Sequence, residues 1–164
     1  MWSPEGMSRR AALAGLLALS ACGLTPVYGP GGAGRRLFGQ IRPRDPDTFE
    51  EFAFNRRLAE RLGPDSDARF ELDYRMNIGV VAQAITPDEV TTRYSLNGTA
   101  DFALKDRAGA VLTQGRVSSF TSYSTTGTTI ATLSAEADAR QRLAHMLADQ
   151  VVTRLLAASD KLPT

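Results

Sequence analysis

Two side chains able to carry covalent or acid–base chemistry occur once each in the 164 residues, the thiol of Cys22 and the imidazole of His145. A lone cysteine cannot close an internal disulfide, and one Cys with one His cannot build a Cys2His2-type metal site. That leaves attachment as the thiol's role. His145 falls beside the apolar stripe of a predicted C-terminal helix, with Gln141, Asp149 and Gln150 near it on the same helix. No G-x-S-x-G elbow accompanies it, no phosphate-cradling glycine loop follows a strand, and no carboxylate pair stands apart from the ordinary polar positions. The reading is therefore non-enzymatic, with no metal and no cofactor, and a hydrolase using His145 is the remote alternative.

The flanks of the thiol say what it attaches to. Met7 to Arg10 forms a short basic segment, Ala11 to Leu19 an apolar one, and Ser20-Ala21 supply the small residues that a signal peptidase reads. Leu19-Ser20-Ala21-Cys22 resembles the lipobox of bacterial lipoproteins, in which the cysteine is acylated, palmitate included, and becomes the mature N-terminus. Ala11 to Ala21 is eleven residues, too short for a bilayer core that needs about 20. Residues 1–21 are thus expected to be a lipoprotein signal peptide, exported by the general route or, less in keeping with the residues after Arg9-Arg10, by the twin-arginine route. Translation starts at Met1 or Met7.

After Cys22 the chain reads GLTPVYGPGGAGRR, a Gly/Pro-rich tether over 22–36 that would reach about 20 Å as a flexible coil. Several acyl chains at Cys22 would give stable anchoring where one is marginal. Gly23, standing where an Asp would favour the inner membrane in this lipoprotein class, points to the outer membrane. Removing Arg9, Arg10 and Glu5 leaves 17 basic and 17 acidic residues, a balance that argues against a nucleic-acid partner. All basic residues but Lys105 and Lys161 are Arg, whose fork suits bidentate contact with phosphate or carboxylate.

The elements that must carry these residues begin near Leu37. Leu37 to Ile41 reads as a short strand, and Thr48 with Glu51 as a capping box opening a helix with Phe49, Phe52, Ala53, Leu58 and Leu62 on its apolar side. Gly63-Pro64 stops it. Arg56, Arg57, Glu60 and Arg61 read as a solvated face. From Phe70 to Val80 every even position is apolar and the odd ones hold Glu71, Asp73, Arg75 and Asn77, a strand with one wet face. Thr86-Pro87-Asp88 separates it from a second such strand, Arg93 to Lys105. Asp106-Arg107-Ala108-Gly109 turns into a third, from Ala110 to about Tyr123 or Thr126, with a bulge expected near Ser118 where Phe120 breaks step. Ser134 is expected to cap a last helix striped by Leu143, Leu147, Val151 and Leu155. The predicted fold is α+β, a two-layer sandwich. An antiparallel-rich sheet of about four strands is covered on one face by two helices, in the order β-α-β-β-β-α over residues 37–158, with 159–164 a disordered tail.

Taken in order, the lipobox with CGLTPVYG, the helix FNRRLAERL, the strands RYSLNGTADFALKDRAGAVLTQG and the helix QRLAHMLADQVVTRLLA resemble the lipopolysaccharide-assembly lipoprotein LptE family in its alphaproteobacterial form. The resemblance implies an outer-membrane lipoprotein on the periplasmic face that plugs the β-barrel LptD, helps assemble it, and helps deliver lipopolysaccharide. It implies no chemical step. A barrel lumen is polar, and the odd-numbered strand face suits it as well as it suits plain solvent. Arg75, Arg93, Arg107 and Arg116 are the candidates for lipopolysaccharide phosphates or barrel contacts. An auxiliary outer-membrane lipoprotein of a lipid or solute transport system fits the same tether and sheet.

Overall fold

Strict alternation in the strands becomes a sheet with one dry and one wet face. The computed structural model describes Val27, Gly29 and residues 32–163 apart from 67, 86–90 and 126. The expected signal peptide, Cys22 and the Thr86-Pro87-Asp88 turn lie outside the described residues. The elements are α1 (Ala33–Leu37), β1 (Ile41–Pro43), α2 (Phe49–Leu62), β2 (Phe70–Ile85), β3 (Thr91–Asp106), β4 (Val111–Ser124) and α3 (Thr129–Ala158), followed by a 3-10 turn at Ser159–Lys161. Sheet order is β1-β2-β3-β4, with β1 parallel to β2 and the other pairs antiparallel. Leu72 pairs with Leu104, Tyr74 with Phe102 and Ala100 with Val117, so the even positions of β2 and β3 meet the odd positions of β4 on one face. That face is covered by α2 and α3.

The core follows from this register. Leu72, Leu96 and Leu104 of the sheet and Leu143, Leu147, Val151 and Leu155 of α3 are fully buried. Each such side chain contributes about 1.5–3 kcal/mol by leaving water. Gly98 lets α3 sit close, since a Cβ there would lie 3.0 Å from Leu143 Cγ and 3.1 Å from Leu147 Cδ1. In the β3–β4 turn Asp106 Oδ1 accepts from the N–H groups of Ala108 and Ala110, and Gly109 takes φ +83°. The expected turn chemistry is present.

Several details differ from the sequence reading. Residues 33–37 are helical, and the first strand starts only at Ile41, because Gly39 at φ +71° turns the chain and its N–H donates to Leu62 O at 2.7 Å. Thr48 Oγ1 accepts from Glu51 N–H at 3.2 Å, but the Glu51 carboxylate returns to the N–H of Asp47, so the box closes one residue early. Phe49 and Phe52 are 61% and 60% exposed, and Phe54 is the buried aromatic, because it shares a helical arc with Leu58 and Leu62. The irregularity in β4 falls between the pairs Leu104–Thr113 and Lys105–Val111, leaving Leu112 as the extra residue. Pairing runs unbroken past Ser118, and Phe120 simply faces out, 72% exposed. Thr128, not Ser134, caps α3, its Oγ1 accepting from Ala131 N–H at 3.3 Å. Leu162, in the expected tail, is buried in the core cluster.

Candidate functional site

The outer sheet face, opposite the helices, gathers the charged residues of the strands. Cross-strand register sets Arg75, Asp101 and Arg116 in one row. Arg116 closes a two-point bond on Asp101, Nε to Oδ1 at 2.5 Å and Nη2 to Oδ2 at 2.9 Å. That hydrogen bond, more than the fields of Arg116 and Arg75, holds the Asp101 carboxyl below the usual carboxylate range. One diagonal step away Lys105 Nζ lies 3.1 Å from Asp73 Oδ2. A depression runs over this row, lined on its outer side by Asp73, Arg75, Asp101, Ala103 and Gln114. The face is strongly polar and largely neutralised within itself.

The four candidate arginines do not form one cluster. Arg75 and Arg116 flank Asp101, whereas Arg93 stands near the start of β3 opposite Ser124, and Arg107 lies in the turn beyond its end, donating to Ala68 O at 3.2 Å. At about 3.3 Å per residue the fourteen steps from Arg93 to Arg107 span roughly 45 Å. Any single anion meets at most the Arg75–Arg116 pair.

The helix-side arginines have roles that periodicity did not reveal. Arg57 Nη2 and Arg61 Nη1 both reach the Asp149 carboxylate, at 3.0 Å and 2.6 Å, tying α2 to α3. Arg140 links Glu50 of α2 at 3.1 Å while bonding Glu136 of its own helix. The expected solvated face is therefore partly a clamp. Arg44 joins Asp47 and Glu51, donates to Tyr74 O, and stacks 4.7 Å from the Tyr74 ring centroid. The Tyr74 hydroxyl donates to Asn55 Oδ1 at 2.9 Å, and burial pushes its phenol far above the ordinary range. The i,i+4 spacing of Arg57 and Arg61 was the available signal; their partner, 92 and 88 residues on, was not.

His145 Nε2 is buried with no hydrogen-bond partner among the described residues. Nor do three metal-ligating side chains converge among the described residues. No helix of the described residues is long and apolar enough to cross a membrane.

The geometry has known counterparts. A candidate lipoprotein from Caulobacter crescentus aligns with a TM-score of 0.66 at 21% identity, covering 80% of this chain and 98% of that one. Rare lipoprotein B from Shewanella oneidensis aligns at 0.57 and 13% identity, covering 74% and 95%. A minor lipoprotein from Acinetobacter baumannii aligns at 0.51 and 19%, covering 76% and 92%. These likenesses show a shared fold. A search of curated proteins finds no match. The lipopolysaccharide-assembly family model LptE matches residues 40–155, from β1 almost to the end of α3. The chain thus belongs to the LptE family of lipopolysaccharide-assembly proteins.

Proposed function

We propose that this chain is a lipid-anchored outer-membrane protein that docks as a plug into an LptD-like β-barrel, assists its assembly and helps pass lipopolysaccharide to the outer leaflet. The observation that carries the reading, beyond family membership, is the outer sheet face, on which Arg116 with Asp101 and Lys105 with Asp73 cancel charge locally. Such a face sits in a polar, water-lined lumen without importing counter-charge. No chemical step is involved. Lipidation at Cys22, after cleavage behind Leu19-Ser20-Ala21, supplies the anchor on the periplasmic face.

The fold supports a direction for the docked body. The chain enters beside α1, which Arg36 pairs to Asp160 of the C-terminal 3-10 turn. β2 and β3, sixteen residues each, project from that end to a tip roughly 50 Å away. The anchor then holds one end near the bilayer surface while the tip reaches into the barrel. Along that length Arg75 is the main contact for lipopolysaccharide phosphates, with Arg116 beside it, Arg107 toward the anchored end and Arg93 toward the tip as separate secondary contacts.

The test is affinity capture of the tagged, lipidated protein from outer-membrane extract, with identification of what accompanies it. A large β-barrel in stoichiometric yield is expected. Its absence, or recovery of a solute-transport complex in its place, sinks the plug. Cys22→Ala addresses the anchor alone: in cells depleted of the barrel the variant is expected to leave the membrane fraction, and its retention there contradicts lipidation as the attachment.

A further inference from the structure

The two edges of the sheet are treated differently. Along β4, side chains of α3 reach the outward backbone: Gln150 Nε2 donates to Ser118 O at 3.0 Å and Arg142 Nη2 to Ser122 O at 3.5 Å. Occupied carbonyls discourage a further strand. On the opposite edge β1 pairs with β2 only over Phe70–Leu72. Phe70 N–H donates to Gln40 O, Leu72 O accepts from Arg44 N–H, and Tyr74 O accepts from Arg44 Nε. Backbone groups of successive strand residues alternate sides, so those of Met76, Ile78 and Val80 point off the same edge. Among the described residues nothing pairs with them there.

The composition of this edge matches its openness. Residues 76–85 read MNIGVVAQAI, with neither a charge nor a proline, the two commonest devices that keep an edge single. Val80 and Val81 are 45% and 47% exposed. A closed barrel has no unpaired strand to offer, so lodging in a lumen does not pair this edge. A second copy of the chain does. Antiparallel pairing about a two-fold axis normal to the sheet sets Met76, Ile78 and Val80 against their own kind on the helix side and Asn77, Gly79 and Val81 on the other. No like charges oppose each other, and both helical layers stay on one side of a continuous sheet.

We propose that the protein, when no barrel holds it, self-associates through the Met76–Val81 edge into a two-fold dimer. A six-residue edge buries less than the roughly 800 Å² per partner of a stable interface, so the dimer is weak and concentration-dependent. The proposal stands apart from the plug reading, because it concerns the protein alone.

Sedimentation of the full lipidated chain in density-matched detergent, over a concentration series without barrel, tests it. The expected result is a shift from one copy to two with concentration. Ile78→Pro removes an N–H that bonds nothing in the single chain, so the fold is retained and association falls at least tenfold. Val80→Lys sets a charge against the second copy's apolar row, with the same expected loss, and decides the matter if circular dichroism shows the proline variant unfolded. A wild-type chain that stays single throughout overturns the proposal. So do two folded variants that associate like wild type, which places the contact elsewhere. Barrel capture by both variants is expected at wild-type yield; loss of capture beside a single-copy wild type assigns the edge to the barrel complex and overturns it too.

Discussion

Gly98→Ala tests whether α3 is seated on the sheet through a glycine-sized gap. The added Cβ would lie 3.0 Å from Cγ and Cδ2 of Leu143 and 3.1 Å from Cδ1 of Leu147, about half an ångström inside the optimal carbon–carbon separation of about 3.5–4.0 Å. Both leucines are fully buried and have no solvent to swing into, so the helix itself has to lift. Overpacking of this kind costs about 1–3 kcal/mol. Replacing a strand glycine with alanine returns about 0.5–1 kcal/mol of backbone entropy. The net expectation is a loss of about 1–2 kcal/mol, or a fall in Tm of roughly 3–10 °C for a body of this size. Urea titration should show a lower midpoint with an unchanged m-value. The paired change Leu143→Ala removes two of the three atoms in conflict, so the double variant should be more stable than the sum of the singles by about 1 kcal/mol. A rise in Tm for Gly98→Ala, or strict additivity in the cycle, refutes the close seating of helix on strand.

Two further outcomes concern the polar contacts. Tyr74 keeps its proton in the folded state well above the pH at which an exposed phenol loses it, about 10. Its contribution is therefore complete below that pH and declines as pH rises above it, when only the unfolded chain ionises. Tyr74→Phe should cost about 1 kcal/mol at neutral pH through the lost bond to Asn55, yet flatten the alkaline decline in stability; an unchanged slope from pH 9 to about 11 by urea unfolding contradicts the buried phenol. Asp149→Asn leaves Arg57 and Arg61 without their shared carboxylate. All three side chains are about a third exposed, so after screening the expected loss is about 1 kcal/mol, shrinking in about 1 M salt; a loss that does not respond to salt means the clamp acts through packing.

The parts of the fold that were legible are those in which one physical rule acts alone. Phe70 to Val80 alternates because one face is dry and the other wet, and a slip of one residue would reverse every side chain. The Leu143–Leu155 stripe needs only helical spacing. In α2 two rules competed, because Phe49, Phe52 and Phe54 are equally apolar and only the arc shared with Leu58 and Leu62 selects Phe54. β1 has three residues and no period to read, and its place depends on the Gly39 turn and on a parallel partner 29 positions away, Ile41 against Phe70. Thr128 and Ser134 are both competent caps, but sequence does not say that α3 runs on past its buried stripe to expose Ile130 and Leu133.

For the outer face, residue type marked the arginines while register decided what each is able to do. Arg116 is engaged by Asp101, so an incoming phosphate has to displace a two-point carboxylate bond before it gains one. Arg75 stands across the same Asp101 without an ion pair of its own among the described residues, and feels that carboxylate only through its field. The two cations are equal as sequence letters and unequal as anion sites. That difference comes from an antiparallel register that sets Asp101 between them, together with the geometry that gives its two oxygens to the β4 side. In the role we propose, a phosphate travelling along the sheet would thus be drawn to the β2 side of the row, and moving the acid, more than removing any one arginine, would redistribute where it binds.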